Sequence, residues 1–252
     1  MNEVKFAHLT ITSQGMEKAV NLVLSNAQSK KSEKKAFHLV NSYTCQIFAT
    51  MKQGNPLIEA NSVNFPDGYW ISKYLKNKSK SIEFSQIRGP GLFRQVLANE
   101  ESARMRHLFL GSTEETLKSL INVVSKSVNI GCKPENLFYI SPPYRPMKES
   151  EISGISDFVI KNEIDIIWVG MGTPKQDYLA NDLTVRSRTT TVAVGAAFDF
   201  LSGSKPEAPT WMGKIGLEWL FRLATEPKRL WKRYIFGNAY FLWLILKDLK
   251  KP

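Results

Sequence analysis

The sequence predicts an α/β protein: a Rossmann-like, mostly parallel sheet with helices on both faces, followed by a C-terminal helical appendage. Three observations carry that expectation. Short apolar, β-branched runs alternate with stretches of helical periodicity through most of the chain, the order of a parallel sheet built from strand–helix units. The run Ile164–Val169 is apolar with little alternation, as a strand covered on both faces should be. After Lys205 the strand signals stop, and aromatic and basic residues take over. The division this predicts is a core over residues 1–204 and an appendage over 205–252.

In chain order, Phe6–Thr12 reads as a first strand and Gln14–Leu24 as a helix capped by Ser13. A polar connector, Gln28–Lys35, leads to a second strand, Phe37–Val40, and then to a helical stretch at Ile47–Lys52. Asn61–Phe65 is a third strand, closed by the turn Pro66-Asp67-Gly68, and Tyr69–Leu75 is helical. Arg88-Gly-Pro-Gly opens a helix running to about Asn99. His107–Leu110 is a strand, and Ser112-Thr-Glu-Glu115 reads as a capping box for a helix to about Val128. Leu137–Ile140 is a strand, Ser141-Pro-Pro-Tyr-Arg-Pro a stiff loop, and Glu151–Lys161 a helix. The strand Ile164–Val169 follows, then a helix from Pro174, a strand at Thr190–Val194 and the loop Gly195–Phe200. In the tail, Trp211–Ala224 reads as one amphipathic helix and Ile235–Leu246 as an apolar run.

Charge and cysteine usage narrow the function classes. The formal net charge is +11, and the stretch from Lys205 onward holds ten Lys and Arg against four Asp and Glu, so more than half of the excess sits there. Basic residues beside Trp, Tyr and Phe suit a helix lying in a lipid interface, and the tail is read as facing anionic lipid rather than nucleic acid. No apolar run approaches the ~20 residues needed to span a bilayer. Cys45 and Cys132 give neither a disulfide framework nor a metal spacing, and the start lacks a signal-peptide pattern, so a cytoplasmic protein is expected. His8, His38 and His107 show no metal-ligand spacing.

The densest chemistry lies in Ile164–Asp177. Gly170 and Gly172 free the backbone after the strand, Pro174 suits the first turn of a helix, and Lys175 adds a charge. A strand, a glycine turn and a helix N-terminus together make a place for a phosphate. Gln176 and Asp177 open that helix, where side chains can reach a sugar. Asp67, at a strand end, is the best-placed carboxylate for a general base. Arg88 can pair with a phosphate, and Asp199, after the Gly195 turn, can hold a ribose hydroxyl.

Several segments together resemble the WecG/TagA/CpsF glycosyltransferases (glycosyltransferase family 26). They are Asn41-Ser-Tyr-Thr44, Pro66-Asp-Gly, Arg88-Gly-Pro, Pro142-Pro-Tyr, Gly170-Met-Gly-Thr-Pro-Lys-Gln176, Val194-Gly-Ala-Ala-Phe-Asp-Phe-Leu-Ser-Gly203, Ala208-Pro-Thr-Trp211 and Gly216-Leu-Glu-Trp-Leu-Phe-Arg222 with Glu226-Pro-Lys-Arg229. The set runs in the family's order over nearly the whole chain. The resemblance implies an inverting, metal-independent and cofactor-free transfer from a UDP-sugar to a polyprenyl-diphosphate-linked sugar on the cytoplasmic face of the membrane. It makes Asp67 the base and puts Asn41 and Gln176 in the donor pocket. Thr44, Arg88, Gly170, Gly172, Pro174, Lys175 and Asp199 join the binding residues. It also assigns Arg222, Arg229 and Arg233 to the lipid diphosphate, and it suggests self-association through the core. The sequence departs from the pattern at Asp177, where Glu is usual, at Gly91, where Asp is common, and at Glu207, where a basic residue is usual.

Two other classes compete. A nicotinamide-dependent oxidoreductase would need Gly-x-Gly-x-x-Gly near the start, whereas Gly170-Met-Gly lies late and lacks the third glycine. An RNA-binding module would use the basic tail and be indifferent to Asp67.

Overall fold

The computed structural model describes residues 3–12, 15–80, 84–127 and 131–250. Strands β1 (Glu3–Phe6) and β2 (Leu9–Thr12) form an antiparallel hairpin, not the single strand expected at Phe6–Thr12. The chain reverses at Ala7-His8, where Ala7 takes a left-handed φ of 54°. Helix α1 (Met16–Gln28) follows; Ser13, expected as its cap, lies outside the described residues. Then come β3 (Ala36–Val40), α2 (Ser42–Phe48), β4 (Ser62–Pro66), α3 (Tyr69–Ser79) and α4 (Gly89–Leu97). The helix expected at Ile47–Lys52 therefore begins at Ser42, directly after the strand, because Asn41 caps it.

Next are β5 (His107–Gly111), α5 (Glu114–Lys126), β6 (Leu137–Ile140), α6 (Glu149–Lys161), β7 (Ile166–Gly170), α7 (Lys175–Ser187), β8 (Thr190–Ala193) and α8 (Ala197–Leu201). The cap of α5 is Thr113, whose hydroxyl accepts from Thr116 N at 3.3 Å; Ser112 stands one residue outside it at φ 61°. The expected end of that helix at Val128 lies outside the described residues.

β3 to β8 make one six-stranded sheet in the order β4-β3-β8-β7-β5-β6, every pairing parallel. One face packs on α1, α4 and α5, the other on α6 and α7. Trp168 sits fully buried at the centre, with Phe93 edge-on at 4.9 Å and Phe198 and Phe109 beyond it. Its indole N–H donates to His107 Nδ1 at 3.1 Å, so this histidine is a core acceptor. All six strands end along one edge, and that is where ligands bind in such sheets.

The tail holds α9 (Thr210–Ile215), α10 (Glu218–Thr225) and α11 (Pro227–Leu249). The single helix expected over Trp211–Ala224 is broken at Gly216, which has φ 78° and lies so close to Tyr69 that a Cβ would stand 2.4 Å from its ring. Only glycine fits both conditions. α11 buries Phe241 and Leu244 against the β1–β2 hairpin and α2 and sets Gly237 beside Gln46, with Ser42 Oγ donating to Asn238 Oδ1 at 3.0 Å. No helix among the described residues is long and apolar enough to cross a membrane.

Candidate active site

Asp67 follows the last residue of β4, next to the end of β3. Its backbone N–H donates to Val40 O at 2.8 Å, which extends the sheet pairing and pins the turn. Asn41 Nδ2 approaches Asp67 Oδ2 at 3.4 Å, and the Gly89 N–H donates to Oδ1 at 3.2 Å. Asn41 is doubly employed: its Oδ1 accepts from Tyr43 N at 3.1 Å and from Thr44 N at 3.2 Å, capping α2. Cap and carboxylate clamp are thus one side chain. Burial pushes the Asp67 carboxyl above the ordinary range, and the Glu218 carboxylate pushes the same way. The Asn41 and Gly89 donors and the Arg88 charge pull against them. An elevated carboxylate is the state a general base needs.

Asp67 opens into a cleft of about 610 Å³ along the carboxyl edge of the sheet. That volume lies in the range of small-molecule sites. The floor is the glycine turn after β7: Gly170, Gly172, Lys175 and Gln176 all line it. Gly170 has to be glycine, because a Cβ would stand 2.5 Å from the Phe198 ring. Gln176 folds back so that its Oε1 accepts from Gly172 N at 2.8 Å, which fixes the turn. One rim carries Ser112 and the proline loop, with Tyr144 fully exposed and Lys175 Nζ 5.7 Å from its ring centre. Asp199 accepts from Ser112 Oγ at 3.3 Å and pairs with Lys205 at 2.8 Å.

The opposite side is cationic. Arg222, Arg229 and Arg233 all line the cleft, on α10 and α11. Arg229 is forked onto Glu226 at 2.6 and 2.8 Å. Arg233 lies over the Tyr43 ring at 4.0 Å and Arg222 over Phe200 at 5.6 Å. The Nε atoms of both are buried with no hydrogen-bond partner among the described residues. Burial disfavours the Arg233 charge, and the neighbouring Arg222 and Arg229 add repulsion. Such a cluster favours an anion. A smaller chamber of about 100 Å³ lies beside the cleft, walled by Tyr43, Tyr69, Trp70 and Trp219, and Asp67, Glu218, Arg222 and Arg233 line both spaces.

Four expected residues stand elsewhere. Arg88 is committed to Glu218 at 3.0 Å and Glu207 at 3.5 Å and does not line the cleft. Thr44 is fully buried, its hydroxyl turned to Leu39 O at 3.4 Å and Asn41 Oδ1 at 3.3 Å. Pro174 caps α7 without lining the cleft. Asp177 faces the core, with His38 Nδ1 3.1 Å from its Oδ1, because the third residue of α7 turns toward β3 and not toward the opening. Glu218 and Tyr144 line the cleft without having been singled out; their signal lay in the Gly216-Leu-Glu-Trp and Pro142-Pro-Tyr segments.

A family model described as "Glycosyl transferase WecG/TagA/CpsF family" matches residues 4–252. The chain belongs to that family. It is therefore a glycosyltransferase. Among its relatives is the N-acetylglucosaminyldiphosphoundecaprenol N-acetyl-beta-D-mannosaminyltransferase of Bacillus subtilis (strain 168), 24% identical over 208 residues, which cover 81% of this chain and 77% of that protein.

Proposed function

We propose that this glycosyltransferase moves a sugar, with N-acetylmannosamine the first candidate, from a UDP-sugar to N-acetylglucosamine on a polyprenyl diphosphate, with inversion and without a metal ion. The observation that carries the reading is the shared cleft: Asp67, the Gly172 turn at the start of α7 and the three arginines line one space. The donor's diphosphate would lie over the glycine turn, where the positive end of α7 and Lys175 favour an anion. Its base would stack near Tyr144, and Asp199 would meet the ribose. The acceptor sugar would enter from the aromatic chamber with its hydroxyl at Asp67. Asp67 takes the hydroxyl proton, the oxygen attacks the anomeric carbon from the side opposite the diphosphate, and the bond from carbon to UDP oxygen breaks. Fixed cations in a partly closed site are the means of stabilising the departing charge. Arg222 and Arg233, with unpartnered Nε groups, suit the lipid diphosphate.

The tail gives the reading a surface to work on. α11 buries one stripe and leaves a second apolar stripe open, with Trp231, Ile235, Leu242 and Leu246 about one or two turns apart and Phe236 and Trp243 beside them. Lys228, Lys232 and Lys247 flank it. An apolar stripe edged by lysines suits the boundary of an anionic bilayer, where a prenyl chain would stay while its sugar enters the chamber. In this proposal residues 205–252 act as the membrane-facing unit, on the cytoplasmic leaflet. The test is transfer from UDP-N-acetylmannosamine to an N-acetylglucosaminyl-diphospho-prenyl acceptor, read by mass spectrometry. Wild type should form the disaccharide product and Asp67→Asn should lose about 10²–10⁴-fold in rate. Full turnover by the variant would remove Asp67 from the role.

A further inference from the structure

Arg88 sits among three carboxylates. Its Nη2 lies 3.0 Å from Glu218 Oε2 and 3.5 Å from Glu207 Oε1, Arg94 secures Glu207 from the other side, and Asp67 is close enough for its charge to act on the same guanidinium. Arg88 also caps α4, and the next N–H in the chain, that of Gly89, is the one that holds Asp67 Oδ1 at 3.2 Å. The guanidinium is therefore one residue away from the Asp67 clamp, yet it points to the first residue of α10. Gly213 of α9 closes over it: a Cβ there would stand 3.6 Å from Nη1. Glu218 itself lines both the cleft and the aromatic chamber beside Asp67.

We infer that Glu218 is a positioning residue for Asp67: by holding the Arg88 guanidinium it prevents a direct ion pair between Arg88 and the base, and so leaves the Asp67 carboxylate open to the acceptor hydroxyl. The inference rests on Asp67 as the base. Its physical content is a competition. A guanidinium paired directly with a carboxylate stabilises the ionised form and lowers its proton affinity by roughly 1–3 pH units, which makes a poor base. Two glutamates, Glu218 and Glu207, compete with Asp67 for the Arg88 guanidinium. Glu218 adds its own negative charge, and that charge raises the proton affinity of Asp67. The groups facing Asp67 are few: Asn41 before α2, Gly89 and Arg88 at the start of α4, Glu218 on α10, and Arg222 and Arg233 across the shared chamber. Glu207, on the loop before α9, acts only through Arg88. This glutamate stands where a basic residue is usual in the family pattern, so this chain has a second anchor for the guanidinium.

The test is the pH profile of kcat/KM for four variants of the full chain, with UDP-N-acetylmannosamine as donor. In Glu218→Gln the acid limb should move down by about one pH unit or more while the plateau falls. In Arg88→Gln it should move up, because the lowering cation is gone. In Arg88→Gln/Glu218→Gln the limb should climb back from its Glu218→Gln position toward the wild-type one, because the quenching guanidinium is gone together with the Glu218 charge that raised the base. An unmoved limb in Glu218→Gln with a reduced rate, or a double variant that keeps the lowered limb, would overturn the inference. If Glu218→Gln does not fold by circular dichroism, Arg88→Gln decides: a limb that stays in place removes the competition. Asp67→Asn separates the two readings. An active Asp67→Asn sinks the base itself, whereas an inactive one beside an unmoved Glu218→Gln limb sinks only the role of Glu218.

Discussion

Asn41 performs two jobs that substitution can separate. Its Oδ1 caps α2 through Tyr43 N and Thr44 N, and its Nδ2 approaches Asp67 Oδ2 at 3.4 Å. Asn41→Ala removes both. Loss of the cap costs about 1 kcal/mol, which in a chain of this size is about 2–4 °C in melting temperature. Loss of the donor to the carboxylate, a long contact, is about 1–2 kcal/mol, or roughly 5–30-fold in kcat/KM if it acts in the transition state. Asn41→Asp keeps an acceptor for the cap but sets a carboxylate against Asp67. Two carboxylates at that distance cannot both ionise freely, so the pair titrates with one step raised. The acid limb of the rate profile should move up by about one unit or more, and by linkage the melting temperature should fall at neutral pH and recover as the pH drops through the raised step. The assays are differential scanning calorimetry and pH-dependent transfer on the same two preparations. An Asn41→Asp protein with a wild-type pH profile would refute the contact, and an undiminished melting temperature in Asn41→Ala would refute the cap.

Three further outcomes are expected. Replacing Trp231, Ile235 and Trp243 with Ser should leave the helix content intact, because all three are exposed, and should cut co-sedimentation with anionic vesicles by at least about tenfold; unchanged binding would place the membrane contact elsewhere. Burial holds His107 down at about 4, against an ordinary imidazole near 6.5, with the Ser102 carbonyl pulling weakly the other way. The unfolded chain therefore takes up a proton first as pH falls. Stability should drop by about 3 kcal/mol between roughly pH 6.5 and 4, and a urea midpoint flat across that window would contradict this. Chelation with EDTA should leave transfer unchanged, since cationic side chains and the end of α7 are assigned the diphosphate charge; abolished turnover, restored by a divalent ion, would defeat the metal-free mechanism.

Much of the architecture was legible because it is written in local pattern. Apolar runs such as Phe37–Val40 and Ile164–Val169 read as strands; the first lies within β3, and the second overlaps β7, which starts two residues later, at Ile166. The glycine turn and Asp67 were legible as strand-end features, and parallel topology brings all strand ends to one edge. Errors fell where a contact distant in sequence decides. Trp211–Ala224 has one continuous apolar period, yet Gly216 breaks it because the Tyr69 ring lies against its Cα. Phe6–Thr12 contains a reversal at Ala7, a residue without turn propensity. Arg88 reads as a phosphate ligand from its neighbours in sequence, but Glu207 and Glu218, more than a hundred residues away, hold it.

The amino-acid order alone pointed to most of the core strands and helices, to a parallel sheet, and to the glycine turn and Asp67 at its productive edge, since these follow from periodicity and backbone sterics within a few residues. Only the tertiary structure decided which side chains are free. Asp177 turns to His38, Thr44 to the Asn41 cap and Arg88 to an ion pair with two glutamates, all away from the cleft that Arg222 and Arg233 line. A hydrogen bond or ion pair is a property of two positions in space, and the sequence lists them one at a time.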